Sequence, residues 1–354
     1  DHSDGGCPIL LLEPQRTNLI TYSEAFDNVY WSKNNGSISA NSSISPEGIL
    51  NADLFTPTDN LGSHYIKRTV SNSNSNTLSF YVKSNGYNYV VINFGSSNGS
   101  AGFDLSNGTI TSNRIYVINQ SITPIDNGWY RISVSIATSI TNVNISVQDT
   151  PFINQSWTTS WTANGTDGIY IWGAQLEAGS YATSYIPTDG GTVTRVADTC
   201  GGAGNSSTFN STEGVLFVEV AALVDEEISR DIEISDGTSL NRVVFYYHPL
   251  GGSVRFAVLS NGSLSTDVDV NLDVLLNHKI ACVWKENRFE LWVDGSKVDE
   301  DLSGSTPATG TLNKLSFSNN AGSTNFYGKT KQLQVYKTAL TDAELIALTS
   351  WSSF

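Results

Sequence analysis

Carboxylates are the first side chains in this sequence whose spacing could do chemistry. In STDVDVNLD (265–273), Asp267, Asp269, Asn271 and Asp273 recur at every second position, as at the start of a calcium loop. An EF-hand loop also needs Gly at its sixth place and Glu at its twelfth. Those places hold Leu272 and His278 here, while Val268, Val270, Leu272 and Val274 form the complementary alternating set. The pattern therefore predicts an amphipathic strand with a wet carboxylate face. Hydrolysis of a glycosidic bond would need two carboxyl groups about 5–10 Å apart across a cleft. The Glu-x-Asp-x-x-Glu pattern that sets such groups on one strand is absent, and its nearest approach is VDEEISRDIEISD (224–236). There Arg230 interrupts the order, and alternation turns Ile232 and Ile234 inward with Asp231 and Glu233 outward. Four histidines suggest neither a Ser-His-Asp or Cys-His arrangement nor a zinc cluster. The expectation is a protein that is not an enzyme.

Aromatic rings are the stronger lead. Sugar rings present flat C–H faces that stack on Trp and Tyr, while Asn, Asp, Gln and Arg bond the hydroxyls. The first half offers Tyr30-Trp31, Tyr87 and Tyr89 (NGYNYV), and Trp157 and Trp161 (SWTTSWTANG). In the second half, Tyr246, Tyr247, His248 and Arg255 fall in neighbouring strands, and Asn325, Phe326 and Tyr327 in a loop. Trp129, Trp172, Trp284 and Trp292 lie inside alternating strands and are expected in the core. The candidate saccharide-binding set is Tyr87, Tyr89, Trp157, Trp161, Tyr246, Arg255 and Tyr327, with Tyr87 and Trp157 expected on exposed loops.

The elements that must carry these residues are strands. TLSFYVKS (77–84), YVVINF (89–94), WYRISVSIA (129–137), VNISV (143–147) and GIYIWGAQL (168–176) alternate with period two between Ser-, Asn- and Gly-rich turns. The pattern lapses between Tyr185 and Glu213, where the domain junction is placed. It restarts with GVLFVEVAAL (214–223), NRVVFYYH (241–248), SVRFAVLS (253–260), HKIACVWK (278–285), RFELWVDG (288–295), NKLSFSN (313–319) and TKQLQVYK (330–337). Short strands at this spacing indicate antiparallel sandwiches. LTDAELIALTS (340–350) has Thr341 and Glu344 at capping-box spacing and predicts one short C-terminal helix. The 354 residues suffice for two ordinary domains, and the net charge of −15 argues against nucleic-acid or anionic-membrane partners. No Met occurs, even at position 1, which suggests a processed or excised piece of a larger protein. Cys282 reads as a buried thiol. Cys7 and Cys200 sit in Gly-rich turns and could be bridged if the ends of the first domain meet.

LLLEPQRTNLITYSEAFDNVYWSK near the start and GIYIWGAQLEAGSYATSYIPTDGGTVTRVAD (168–198) resemble a pair of segments found in tailed-phage structural proteins. The domain they bracket resembles the jelly-roll carbohydrate-binding modules, with Asn18-Leu19 on its first strand. The second half is similar to concanavalin A-like, laminin-G-like lectin domains. RFELWVDGSKV matches their hairpin, and LQVYKTALTDAELIAL their closing strand and helix. The resemblance implies an all-β chain of two antiparallel sandwiches: a jelly roll over residues 8–200, a linker over 201–212 and a concanavalin A-like sandwich over 213–354. Leu10–Leu12 would be an edge strand and Glu13-Pro14-Gln15-Arg16 a turn across the junction, with Arg16 paired to Glu177 or Asp198. A structural calcium ion held by Glu24, Asp27 and Glu177 is also implied. So is non-catalytic glycan binding by a virion or tail-associated adhesin, located on the virion or outside the cell. Its partners would be polysaccharide and other virion proteins. The alternatives are a structural virion spacer, or the binding appendage of a polysaccharide-degrading enzyme.

Overall fold

The computed structural model describes residues 8–72, 75–95, 99–153 and 157–351. The Cys7–Cys200 bridge therefore falls outside the described residues. The chain is all-β with antiparallel sheets, and it divides into two units. One unit is Gln15–Val196. The other combines the segment before Gln15 with the residues from Ala197 onward.

In the Gln15–Val196 unit two six-stranded sheets enclose one core. Asn76–Asn85, Tyr130–Ile136 and Gly168–Ala178 lie in one sheet, and His64–Asn72, Tyr89–Asn93 and Ile140–Gln148 in the other. Alternation aims Leu78, Phe80, Ile132, Val143 and Ile145 into that core. The ends of the unit meet where Arg16–Asn18 pairs with Val193–Arg195. Asn18 explains why a polar residue opens the unit, since its buried amide is fully used. Its Nδ2 donates to the Ala174 and Ile186 carbonyls at 3.1 and 2.9 Å, and its Oδ1 accepts from Ile20 and Leu176 at 3.0 and 3.1 Å.

The other unit is a second pair of six-stranded sheets. One runs Leu10–Leu12, Gly328–Tyr336, Glu213–Ala222, His278–Lys285, Arg288–Val293, Ser296–Asp301. The other runs Gly201–Ala203, Lys314–Ser316, Arg230–Ser235, Arg242–Tyr247, Ser253–Ser260, Ser263–Asn271. Phe245, Phe256, Ile280, Trp284 and Leu291 pack between them. Two expected boundaries shift. Leu10–Leu12 pairs with Gly328–Thr330 and buries Leu12 in this core, so the opening strand belongs to the later unit and not to an 8–200 module. The expected 201–212 linker holds the strand Gly201–Ala203 and the buried Phe209, because its apolar ring completes the same core. Asp198 closes the crossing point: its carboxylate accepts from the Glu13 amide, and its own amide donates to the Glu13 carbonyl, both at 2.9 Å.

The helix Asp342–Thr349 carries the Thr341/Glu344 capping box and lays Leu345 on Phe217, Val283 and Trp292, sealing the outer face of the first of these sheets. Asp294 and Gly295, at φ 48° and 86°, form the tight turn read from the sequence. STDVDVNLD is a strand as far as Asn271, with Val268 buried and Asp267 and Asp269 exposed. Trp129, Trp172, Trp284 and Trp292 are all buried.

Candidate functional site

Among the described residues no helix covers the second of these sheets, and its outer face carries a groove of about 460 Å³. The strand register builds it in three rows. Asp231, Tyr246, Arg255 and Asp269 stand side by side across four strands. Glu233, Val244, Ala257 and Asp267 form the next row, then Ser235, Arg242, Leu259 and Leu264. The floor is low because Val244 and Ala257 are short, while Tyr246 and Arg242 rise on either side. Ile232, Phe245, Phe256 and Val268, at the intervening positions, face the core.

The polar rim is unequally satisfied. Asp231 is 6% exposed and accepts from the Ser229 hydroxyl at 2.6 Å and the Thr324 hydroxyl at 2.7 Å. Burial nevertheless pushes its carboxyl above the usual range, against those bonds and the nearby guanidinium groups of Arg242 and Arg230. Arg255 donates to Asp267 at 3.0 Å, and the Tyr246 hydroxyl reaches the same carboxylate at 3.4 Å. Glu233 differs. It is 1% exposed, and neither carboxylate oxygen takes a hydrogen bond of good geometry among the described residues, although the Ser235 hydroxyl is close enough to work against its burial. Arg242 Nη1 stands 3.6 Å away, an ion pair too long for a hydrogen bond. Desolvation raises the Glu233 carboxyl above its ordinary range.

Of the residues expected from sequence, the structure brings Tyr246 and Arg255 to this groove. Tyr327 lies on the core of the same unit, with the Arg230 guanidinium 4.8 Å over its ring and Asn325 donating to its hydroxyl. In the Gln15–Val196 unit the rings are spent on packing. Trp161 is core, set edge-on to His64 and Tyr87 at 4.6 and 4.9 Å. Tyr87 is half-buried and its hydroxyl accepts from the Asn164 amide at 2.9 Å, while Trp157 lies against Tyr65 at 5.2 Å. Tyr89 is half-buried in the strand Tyr89–Asn93, and Trp31 stacks on Phe26 in the interior. Tyr87 and Trp157 thus differ from the exposed loop positions expected for them, because their rings fill gaps beside Trp161 and Tyr65.

The three expected calcium ligands are not gathered. Glu24 accepts from Tyr185 and Asn51, and Glu177 from the amide and hydroxyl of Thr183, while Asp27 is exposed. The buried carboxylate of that region is Asp53, which accepts from the Phe26, Asp27 and Asn41 amides. Among the described residues no cluster of three His, Cys, Asp or Glu side chains could hold a metal ion. Arg16 lies 5.1 Å over the Tyr181 ring, whereas Glu177 and Asp198 are bonded to Thr183 and Glu13.

Sequence reasoning missed Arg242, and it took Asp231 and Glu233 for solvent-facing. The signal was present in the turn DGTSLN (236–241). Folding the chain back there opposes Ser235 to Arg242, and so Glu233 to Val244 and Asp231 to Tyr246.

Residues 218–346 match the family model described as the concanavalin A-like lectin/glucanases superfamily. No curated protein matches the chain. Among solved structures, Ruminococcus gnavus IT-sialidase CBM40 is similar at 18% identity and TM-score 0.35, covering 42% of this chain and 94% of that one. A putative carbohydrate binding protein from Bacteroides ovatus is similar at 10% identity and TM-score 0.32, covering 84% and 82%. Mouse laminin alpha1 chain, domains LG4-5, is similar at 10% identity and TM-score 0.29, covering 80% and 90%. Scores this low fix no residue-by-residue correspondence.

Proposed function

We propose that the chain binds saccharides without cleaving them, in the groove on the outer face of the sheet containing Arg230–Ser235 and Arg242–Tyr247. The observation that carries this reading is one open depression in which an apolar floor meets converging polar groups. Its volume of about 460 Å³ falls inside the roughly 300–1,000 Å³ typical of small-molecule sites. The C–H face of a pyranose fits on Val244, Ala257, Leu259 and Leu264, with Asp231, Arg242, Tyr246 and Asp267 at its hydroxyls. The match to the lectin and glucanase superfamily over residues 218–346 supports the same assignment. Binding rather than hydrolysis is favoured by the carboxyl groups themselves. Asp231 and Glu233 sit on one strand, Asp231 with both oxygens bonded and Glu233 almost inaccessible. The finer reading, from the resemblance of the segments flanking Gln15–Val196, is a virion or tail-associated adhesin whose weak single sites gain strength through many copies.

The test is a glycan array followed by affinity electrophoresis. Retention should fall about tenfold or more in Tyr246→Ala, the cost of one central aromatic contact, with the melting temperature little changed. Retention on no glycan would defeat the reading, and new reducing ends in the incubated glycan would replace it with hydrolysis.

A further inference from the structure

We infer that the groove is built for an acidic saccharide, whose carboxylate is read by the guanidinium of Arg242. The inference rests on the proposed saccharide site and names the class of sugar it takes. It comes from accounting for donors and acceptors. A guanidinium carries five N–H donors in a planar fork. Arg255 gives Asp267 one hydrogen bond, from Nη1 at 3.0 Å, and an ion pair at the same distance. The contact shown for the Arg242 guanidinium is the long ion pair with Glu233, at 3.6 Å. Glu233 compensates the charge across that gap, which is too long for a hydrogen bond. The reachable acceptors are already taken: Asp231 by Ser229 and Thr324, and Asp267 by Arg255. A ligand rich in donors, such as an amino sugar, would find those carboxylates occupied. A ligand bringing acceptors finds an idle fork on an apolar floor, and carboxylate is the group that matches a guanidinium with two parallel bonds.

Glu233 then acts as a positioning and tuning residue. The charged and titratable groups around Arg242 are Asp231 and Glu233 on one neighbouring strand, Lys314 beyond them, Tyr246 on its own strand, Arg255 on the next, and Asp267 past it. Burial raises Asp231 and Glu233, so they take up protons before a uronate with an ordinary carboxyl pKa of about 3.5 does. In that window Arg242 loses its compensation while the ligand stays anionic. Affinity for an acidic saccharide therefore rises on acidification until the ligand itself begins to take up protons.

The experiment titrates the full chain calorimetrically with oligogalacturonate, oligoguluronate and hyaluronan oligosaccharides. Each is paired with its methyl-esterified form, and neutral cello- and xylo-oligosaccharides are run beside them. At least one acidic oligosaccharide should bind about tenfold or more tightly than its ester and more tightly at pH 5 than at pH 7. Arg242→Gln should abolish that preference, and Arg242→Lys should keep only part of it, since an ammonium has no fork. Glu233→Gln should raise affinity severalfold at pH 7 and flatten the pH profile. If Arg242→Gln is poorly folded, the double variant Arg242→Gln/Glu233→Gln removes both charges together and serves in its place. Equal binding of acid and ester, binding of neutral sugars alone, or affinity that falls on acidification would each overturn the inference and leave the saccharide site standing. Binding of nothing in the panel would remove both.

Discussion

Two buried glutamates in the later unit face outward from its two sheets, and they differ in what surrounds them. Glu290, 3% exposed beside the helix, accepts from Arg288 Nε and Nη2 at 3.0 Å each, from Trp292 Nε1 at 2.9 Å and from Lys297 Nζ at 3.0 Å. Burial works to raise its carboxyl, and those hydrogen bonds outweigh it, leaving the group below its ordinary range. Glu233, 1% exposed on the other sheet, has a 3.6 Å ion pair with Arg242 and the Ser235 hydroxyl nearby, which do not offset its burial, and it is shifted the other way. Similar burial with opposite shifts separates a carboxylate met by four hydrogen bonds from one facing a long ion pair. A buried carboxylate is costly unless paired. An unfinished pair beside a groove is therefore the better marker of a site than burial or ring content alone.

The largest effect that would sharpen this contrast is on stability. Glu290→Gln should cost about 2–3 kcal/mol in urea unfolding, below the usual range for a broken buried pair because Arg288 and Lys297 are partly exposed. A loss under about 0.5 kcal/mol would put Glu290 among ordinary surface charges. Glu233→Gln should move the opposite way, stabilising by up to about 1 kcal/mol as a buried carboxylate with only a long ion pair to offset its desolvation is removed. The pH dependence sharpens the pair further. Glu290 has a depressed folded pKa, so its contribution is present above the unfolded value and is lost as pH falls through the folded one. Glu233 has a raised folded pKa, so the native state binds the extra proton and stability falls as pH rises through that raised value. The gain from Glu233→Gln should accordingly grow as pH rises through that raised value, and unfolding curves at several pH values would expose a gain that shrinks instead. The smallest effect concerns metal. Glu24, Asp53 and Glu177 already take protein donors, so chelation should shift the melting temperature by less than about 1 °C, well below the roughly 2–4 °C expected per kcal/mol in a domain of this size.

Alternation made most strands legible, and the capping box gave the helix nearly to its ends: 340–350 expected, Asp342–Thr349 found. Period two also assigned Asp231 and Glu233 to the outer face correctly. It could not tell that they would be buried there, because parity names a face and says nothing of the taller side chains beside it. Trp157 and Tyr87 failed for a related reason: a ring in a Gly- and Ser-rich stretch looks exposed until the sheet beneath it is known. The partner of Leu10–Leu12 was out of reach, since its ladder lies on Gly328–Thr330, far along the chain.

That remote pairing has a consequence for synthesis. The strand Leu10–Leu12 must wait for Gly328–Tyr336 to be made before its backbone groups find their ladder. Over such a span chain entropy opposes the meeting, though the penalty grows only slowly with length. Gln15–Val196 shortens the wait in effect, because folding it clasps Arg16–Asn18 against Val193–Arg195 and hands the flanking segments onward as neighbours.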